Sequence, residues 1–192
     1  MANGGTLNGR TAIVTGSTSG IGLAMARALA LEGCKVMLNG LGDADEIEKT
    51  RADLAEEAGV EIGFHGADMR EPDQIADMVE QTVDRFGALH ILVNNAGIQH
   101  TSPIESFPDD KWDAVIAINL SAAFHATKAA LPHMRAAGWG RIVNTASAHG
   151  LVASVNKAAY VAAKHGIVGL TKVTALETAE EPITCNAICP GW

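Results

Sequence analysis

Tyr160 and Lys164 stand four residues apart in a stretch, Ala158 to Glu177, that is rich in Ala, Leu, Val and Lys. A helix there puts both on one face. A free phenol titrates near ~10 and is a poor base at neutral pH, but an ammonium a few ångströms away favours the phenolate. Such a tyrosine can exchange a proton with an alcohol or a carbonyl. Ser147, thirteen residues upstream of Tyr160, adds a hydroxyl that can donate to a developing alkoxide. A Tyr-x-x-x-Lys pair also occurs on exposed helices with no task, so the rest of the chain must supply the cofactor and the substrate.

Thr11–Thr15 is apolar and β-branched and runs into Gly16-Ser17-Thr18-Ser19-Gly20-Ile21-Gly22, after which Leu23–Leu31 reads as a helix closed by Gly33. Strand, glycine turn and helix N-terminus form a cradle for a pyrophosphate, because glycines permit close approach and the first helical N–H groups lack partners. The spacing G-x-x-x-G-x-G is a variant of the dinucleotide fingerprint. Lys35–Asn39 is a second strand, and Asn39 sits where a ribose-recognising residue belongs, with no Arg or Lys beside it for a 2′-phosphate. That favours NAD over NADP, although Asn39-Gly40 also suits a plain turn.

Further along, Ala44–Ala58 reads as an amphipathic helix, Val60–Gly66 as a strand, Pro72–Phe86 as a helix and Leu89–Val93 as a core strand. Asp68 could contact an adenine amino group or cap the loop before Pro72. In Asn94-Asn95-Ala96-Gly97, Asn94 is expected to steady the turn while Ala96 and Gly97 let a cofactor approach. Asp110–Met134 reads as one long helix with Asn119 awkwardly inside it, Gly140–Thr145 as a strand, and Ile183–Ile188 as another that leads to Cys189-Pro190-Gly191-Trp192. Strands alternating with helices predict an α/β fold, a Rossmann-type doubly wound parallel sheet flanked by helices, in a single domain over residues 1–192.

Composition narrows the function. The 192 residues carry 14 basic and 22 acidic side chains, a net charge of −8, with no basic run, which argues against nucleic-acid or anionic-membrane binding. The N-terminus lacks a signal pattern and no 18-residue run is wholly apolar, so a soluble cytoplasmic protein is expected. Cys34, Cys185 and Cys189 form no C-x-x-C pair and read as reduced thiols. The seven histidines show no metal-binding spacing, so no metal is expected.

Taken in order, Thr15 to Gly22, Asn94 to Gly97, Asn119, Ser147, Tyr160-x-x-x-Lys164 and Pro190-Gly191 resemble the motif series of the short-chain dehydrogenase/reductase family, and the resemblance covers the whole chain. It implies that Tyr160 is the acid/base, that Ser147 holds the substrate oxygen, that Lys164 binds the nicotinamide ribose and lowers the Tyr160 pKa, and that Asn119 holds a relay water. It implies cofactor contacts from Gly16, Thr18, Gly20, Ile21, Gly22, Asn39, Asp68, Asn95, Ala96, Gly97, Tyr160, Lys164, Pro190 and Gly191. Finer matches, Leu38 to Asp43, Gln99, Ser147 to Gly150, Lys157 and Thr184 to Trp192, are similar to the branch of the family that interconverts D-3-hydroxybutyrate and acetoacetate with NAD. That likeness assigns Gln99, His149 and Lys157 to a substrate carboxylate and Trp192 to the pocket wall.

The resemblance also implies a homotetramer in which the helices at 110–134 and 158–177 pack across an interface. Relatives continue past Pro-Gly-Trp into a substrate-covering segment, a helix and a last strand, so a sheet without that lid, helix and strand is expected here. An NADPH-dependent 3-oxoacyl thioester reductase, or a catalytically silent nucleotide-binding domain, are the alternatives. The first is opposed by Gln99, His149 and Lys157 together, the second by the intact Asn119, Ser147, Tyr160 and Lys164.

Overall fold

The computed structural model describes residues 5–191. Six parallel strands lie in the order β3-β2-β1-β4-β5-β6, where β1 is Thr11–Val14, β2 Lys35–Asn39, β3 Ile62–His65, β4 Ile91–Asn94, β5 Gly140–Thr145 and β6 Ile183–Ile188. The strands are made of Val, Ile, Leu and Ala and most are buried on both faces, as a parallel sheet between helix layers requires. After β3 the chain crosses back to pair β4 with β1. This reversal opens a crevice at the carboxyl ends of β1 and β4, where ligands of such sheets sit.

Helices α1 (Gly20–Leu31) and α2 (Ala44–Ala58) cover one face. There Ala26, Ala30 and Leu54 pack on Val14, Val36 and Leu38. The other face carries α3 (Pro72–Phe86), α4 (Asp109–Ile116), α5 (Ala122–Ala136) and α6 (Ala158–Glu177). On this side Met78, Val79, Ala126 and Met134 close over Ile13, Leu92 and Ile142. The helical stretch 109–136 is long and apolar enough to cross a membrane, yet it packs on α3, α6 and the sheet.

The expected single helix over 110–134 is divided: Ala117–Ser121 forms a π turn between α4 and α5. The first helix begins earlier than expected, at Gly20, so the glycine turn feeds straight into helical backbone. At the opposite end of the sheet, Thr11 donates its N–H to Nδ1 of buried His90 at 3.2 Å. Nearby, the Trp139 ring lies between the guanidinium groups of Arg10 and Arg141, at 4.3 and 4.2 Å.

Candidate active site

The glycine turn owes its shape to two positions. Gly16 has φ +62°, and a Cβ there would lie 2.8 Å from the Cα of Ala96; a Cβ on Gly22 would overlap the Gly16 carbonyl. The first turn of α1 receives no side-chain cap from Ser19, which leaves helical N–H groups and the positive end of the dipole facing the crevice. Thr15 fastens the turn to β4. Its hydroxyl accepts the N–H groups of Asn95 and Ala96 at 2.9 and 3.0 Å, and the Asn95 amide donates to the carbonyls of Thr15 and Gly16, both at 3.0 Å.

Asn95 therefore does the steadying expected of Asn94. The Asn94 side chain points the other way, into the layer under α5, where it donates to Asn144 at 2.8 Å and Thr127 at 3.4 Å. Adjacent residues of an extended strand face opposite sides, and that alternation separates their tasks.

Asn39 also departs from expectation. It is fully buried, its Nδ2 donates to the carbonyls of His65 and Ala67, each at 3.0 Å, and its Oδ1 accepts the Gly16 N–H at 3.3 Å. Ser17, also fully buried, completes the knot through Ser17 N to Asn39 O at 2.7 Å and Asn39 N to Ser17 Oγ at 3.1 Å. The amide is thus engaged by the protein's own backbone, and Asn39 lines the cavity together with Gly40 and Leu41.

Asp68 caps its loop. Its carboxylate takes the Arg70 N–H at 2.9 Å and the Arg70 guanidinium, while its own N–H donates to Gln74. The hydrogen bond from Arg70 holds the Asp68 carboxyl below its usual range. Asn119 sits in the π turn, 1% exposed, and exchanges two hydrogen bonds with the backbone of Ile98: Nδ2 to O at 2.9 Å and N to Oδ1 at 2.8 Å. Its amide is committed to fixing the loop that follows β4, which explains a polar residue in mid-helix.

At the carboxyl end of β5, buried Lys164 donates its ammonium to the Thr145 carbonyl at 2.6 Å. It also lies 5.6 Å from the Tyr160 ring centre. Burial pushes the lysine down from 10.5 to about 8, opposed by the nearby Cys189. Ser147 Oγ accepts the His149 N–H at 3.1 Å, which leaves its own proton available to a substrate. The His149 ring meets Tyr160 edge to face at 6.1 Å.

These residues line one groove. A 470 Å³ cavity runs from Leu41 and Asp68 past Gly16, Thr18 and Gly22 to Ile98. Sharing Ile21, Asn95, Gly97 and Ile98 as walls, a 330 Å³ space continues to Ser147, Tyr160, Lys164, Pro190 and Gly191. A smaller 140 Å³ cavity then brings Gln99, His149 and Lys157 beside Ser147 and Tyr160. Trp192 lies outside the described residues. Thr15, Ser17 and Ile98 escaped the sequence reading; a hydroxyl at each edge of the first glycine was the available signal for the first two. No group of three or more His, Cys, Asp or Glu side chains able to hold a metal occurs among the described residues.

Residues 10–192 match the family model for short chain dehydrogenases. The chain belongs to the short-chain dehydrogenase family. A D-beta-hydroxybutyrate dehydrogenase of Cupriavidus necator is 60% identical over 187 residues, covering 97% of this chain and 71% of that protein. One of Rhizobium meliloti is 56% identical over 183 residues, covering 95% and 71%. Among solved structures, an NAD+-bound xylitol dehydrogenase superposes with a TM-score of 0.92 at 37% identity, over 97% of this chain and 72% of that one. Carveol dehydrogenase from Mycobacterium avium in complex with NAD gives 0.91 at 30% identity, over 97% and 72%.

As a short-chain dehydrogenase the chain is an oxidoreductase, and a nicotinamide dinucleotide is its cofactor class. The groove fits such a molecule on its own evidence: a helix N-terminus without a side-chain cap, and a turn packed so closely against Ala96 and Asn95 that neither Gly16 nor Gly22 could carry a Cβ.

Proposed function

We propose that this short-chain dehydrogenase interconverts D-3-hydroxybutyrate and acetoacetate with NAD as its cofactor. Gln99, His149 and Lys157 converge with Ser147 and Tyr160 on one 140 Å³ cavity, and that convergence carries the assignment. A four-carbon hydroxy acid needs a cation and several donors for its carboxylate, next to a hydroxyl pair for its reacting oxygen. The cavity is below the size range of drug-like sites. The names of the relatives at 60% and 56% identity support the same substrate.

In this reading Lys157, Gln99 and His149 hold the carboxylate. Ser147, its oxygen already occupied by the His149 N–H, turns its proton toward the substrate oxygen. Tyr160 takes the hydroxyl proton, with the Lys164 ammonium 5.6 Å from its ring centre. The nicotinamide, when bound, accepts the hydride. Gly16, Thr18, Gly20, Ile21 and Gly22 would hold the pyrophosphate, Gly40 and Leu41 the adenosine ribose, Asp68 the adenine side, and Asn95, Ala96, Gly97, Pro190 and Gly191 the nicotinamide half. Asn119 would act on a relay water through its main chain, since its amide is engaged by Ile98. NAD is preferred over NADP because, among the described residues, no Lys or Arg lines the groove around Gly40, Leu41 and Asp68.

The reading extends to a cytoplasmic homo-oligomer. Phe124 and Val173 are exposed along a groove between α5 and α6, and Leu176 is exposed three residues beyond Val173, an apolar surface suited to a second copy.

The test is NADH formation from NAD and each enantiomer of 3-hydroxybutyrate, beside a Tyr160→Phe control. Turnover of the D form alone, abolished in the control, is expected. Turnover of neither form, or a control as active as the wild type, would overturn the assignment.

A further inference from the structure

The substrate cavity is built by two loops. One, after β4, carries Gln99; the other, before α6, carries His149 and Lys157. Between them runs the hydrogen bond from Ser102 N to the Asn156 carbonyl, at 3.0 Å. Ser102 is itself anchored in its loop, its hydroxyl donating to the Ser106 carbonyl at 3.2 Å. Asn156 is also the one non-glycine residue among those described with left-handed backbone, φ 63°. It directly precedes Lys157, the cap residue of α6, and stands four positions before Tyr160.

Left-handed backbone is costly for residues with a Cβ, and Asn is one of the few that adopts it routinely. The Asn156 side chain is exposed and the bond to Ser102 uses its main chain. Its residue type therefore acts through φ alone. With extended or right-handed backbone at 156, the carbonyl would turn away from Ser102, and the chain would enter α6 along a different line, carrying Lys157 with it.

We propose that Asn156 is a positioning residue of the substrate pocket: its left-handed turn aims Lys157 at the cavity and, through Ser102, locks the Gln99 loop to the Lys157 loop. This rests on the reading of that cavity as a carboxylate site. Ser147 and Tyr160 line the same cavity, but they are held at the end of β5 and within α6 rather than in the two loops, so the effect falls on capture of the acid.

The test compares Asn156→Ala and Asn156→Gly in the full chain. Ala meets the left-handed penalty, which corresponds to a five- to thirty-fold effect, on the order of 1–2 kcal/mol. The KM for 3-hydroxybutyrate should rise by about that factor in Asn156→Ala, with kcat and the KM for NAD little changed. Asn156→Gly, which adopts the same φ freely, should stay close to wild type. Amide hydrogen exchange supplies a readout independent of turnover: Ser102 should lose protection in Asn156→Ala and keep it in Asn156→Gly. An Ala variant with wild-type KM and wild-type Ser102 protection would overturn the proposal, as would a Gly variant impaired as much as Ala. A wild type that does not oxidise 3-hydroxybutyrate defeats the carboxylate reading alone, and the exchange at Ser102 then decides the loop lock by itself.

Discussion

The Lys164 ammonium is fastened to the main-chain carbonyl of Thr145, at 2.6 Å, at the carboxyl end of β5. The bond places a charge under Tyr160 that burial works to remove, so that Lys164 titrates at about 8 rather than 10.5. The ammonium is present below that pH and lost above it. We expect kcat/KM for alcohol oxidation to stop rising, or to fall, as pH passes about 8. In Lys164→Arg, whose side chain stays charged, that break should vanish at a lower overall rate. A pH–rate profile of both proteins checks this.

Asn39 joins the glycine turn to the segment after β3 through three side-chain hydrogen bonds. Replacement by Ala leaves the buried Ala67 carbonyl without this partner, at about 1–3 kcal/mol, and removes the part-buried bonds to His65 and Gly16 as well. Asn39→Ala should lower the urea midpoint substantially and raise the KM for NAD more than it lowers kcat. Asn39→Asp should do no better, because a carboxylate cannot donate to the carbonyls of His65 and Ala67.

His90 accepts the Thr11 N–H through Nδ1 and so must be neutral in the folded state. Burial, with Arg10 adding to it, lowers its pKa below the ordinary 6.5. A base whose native pKa is depressed contributes stability that is complete above its unfolded value and lost as pH falls through the native one. Urea midpoints should therefore decline below about pH 6.5, and a His90→Gln variant should show a shallower decline over the same range.

Leu176 is 77% exposed on α6, three residues beyond Val173, which lines a groove with Phe124. In Leu176→Glu the apolar face acquires a charge that an interface would have to desolvate. Light scattering should report an assembled wild type and a variant of lower mass with unchanged helical content.

The alternation of strands and helices was legible because apolar β-branched runs and glycine stops recur at regular intervals, and the i, i+4 spacing sufficed to put Tyr160 and Lys164 on one face. Direction was harder to read. A spacing of roughly 20 residues after the glycine turn located Asn39, but only the packing of β2 against β3 decides that its amide faces inward to His65 and Ala67. The steadying expected of Asn94 fell to Asn95 for the same reason, since the last residue of β4 determines which neighbour faces α5. Asn119 drew notice as an unfavourable helix residue, yet composition does not record the extra residue of the π turn that lets its side chain reach Ile98.

Thr15 and Asn95 meet across eighty residues of chain, and the bonds between them form the floor of the crevice. Contacts so distant in sequence close only after a large loop has been brought to order, and such contacts slow folding. During synthesis, β1, the glycine turn and α1 emerge long before β4 and can form no cofactor site by themselves. The ability to hold a dinucleotide therefore arises late, once the first and fourth strands have paired, and nucleotide binding reports completion of the sheet rather than formation of its first half.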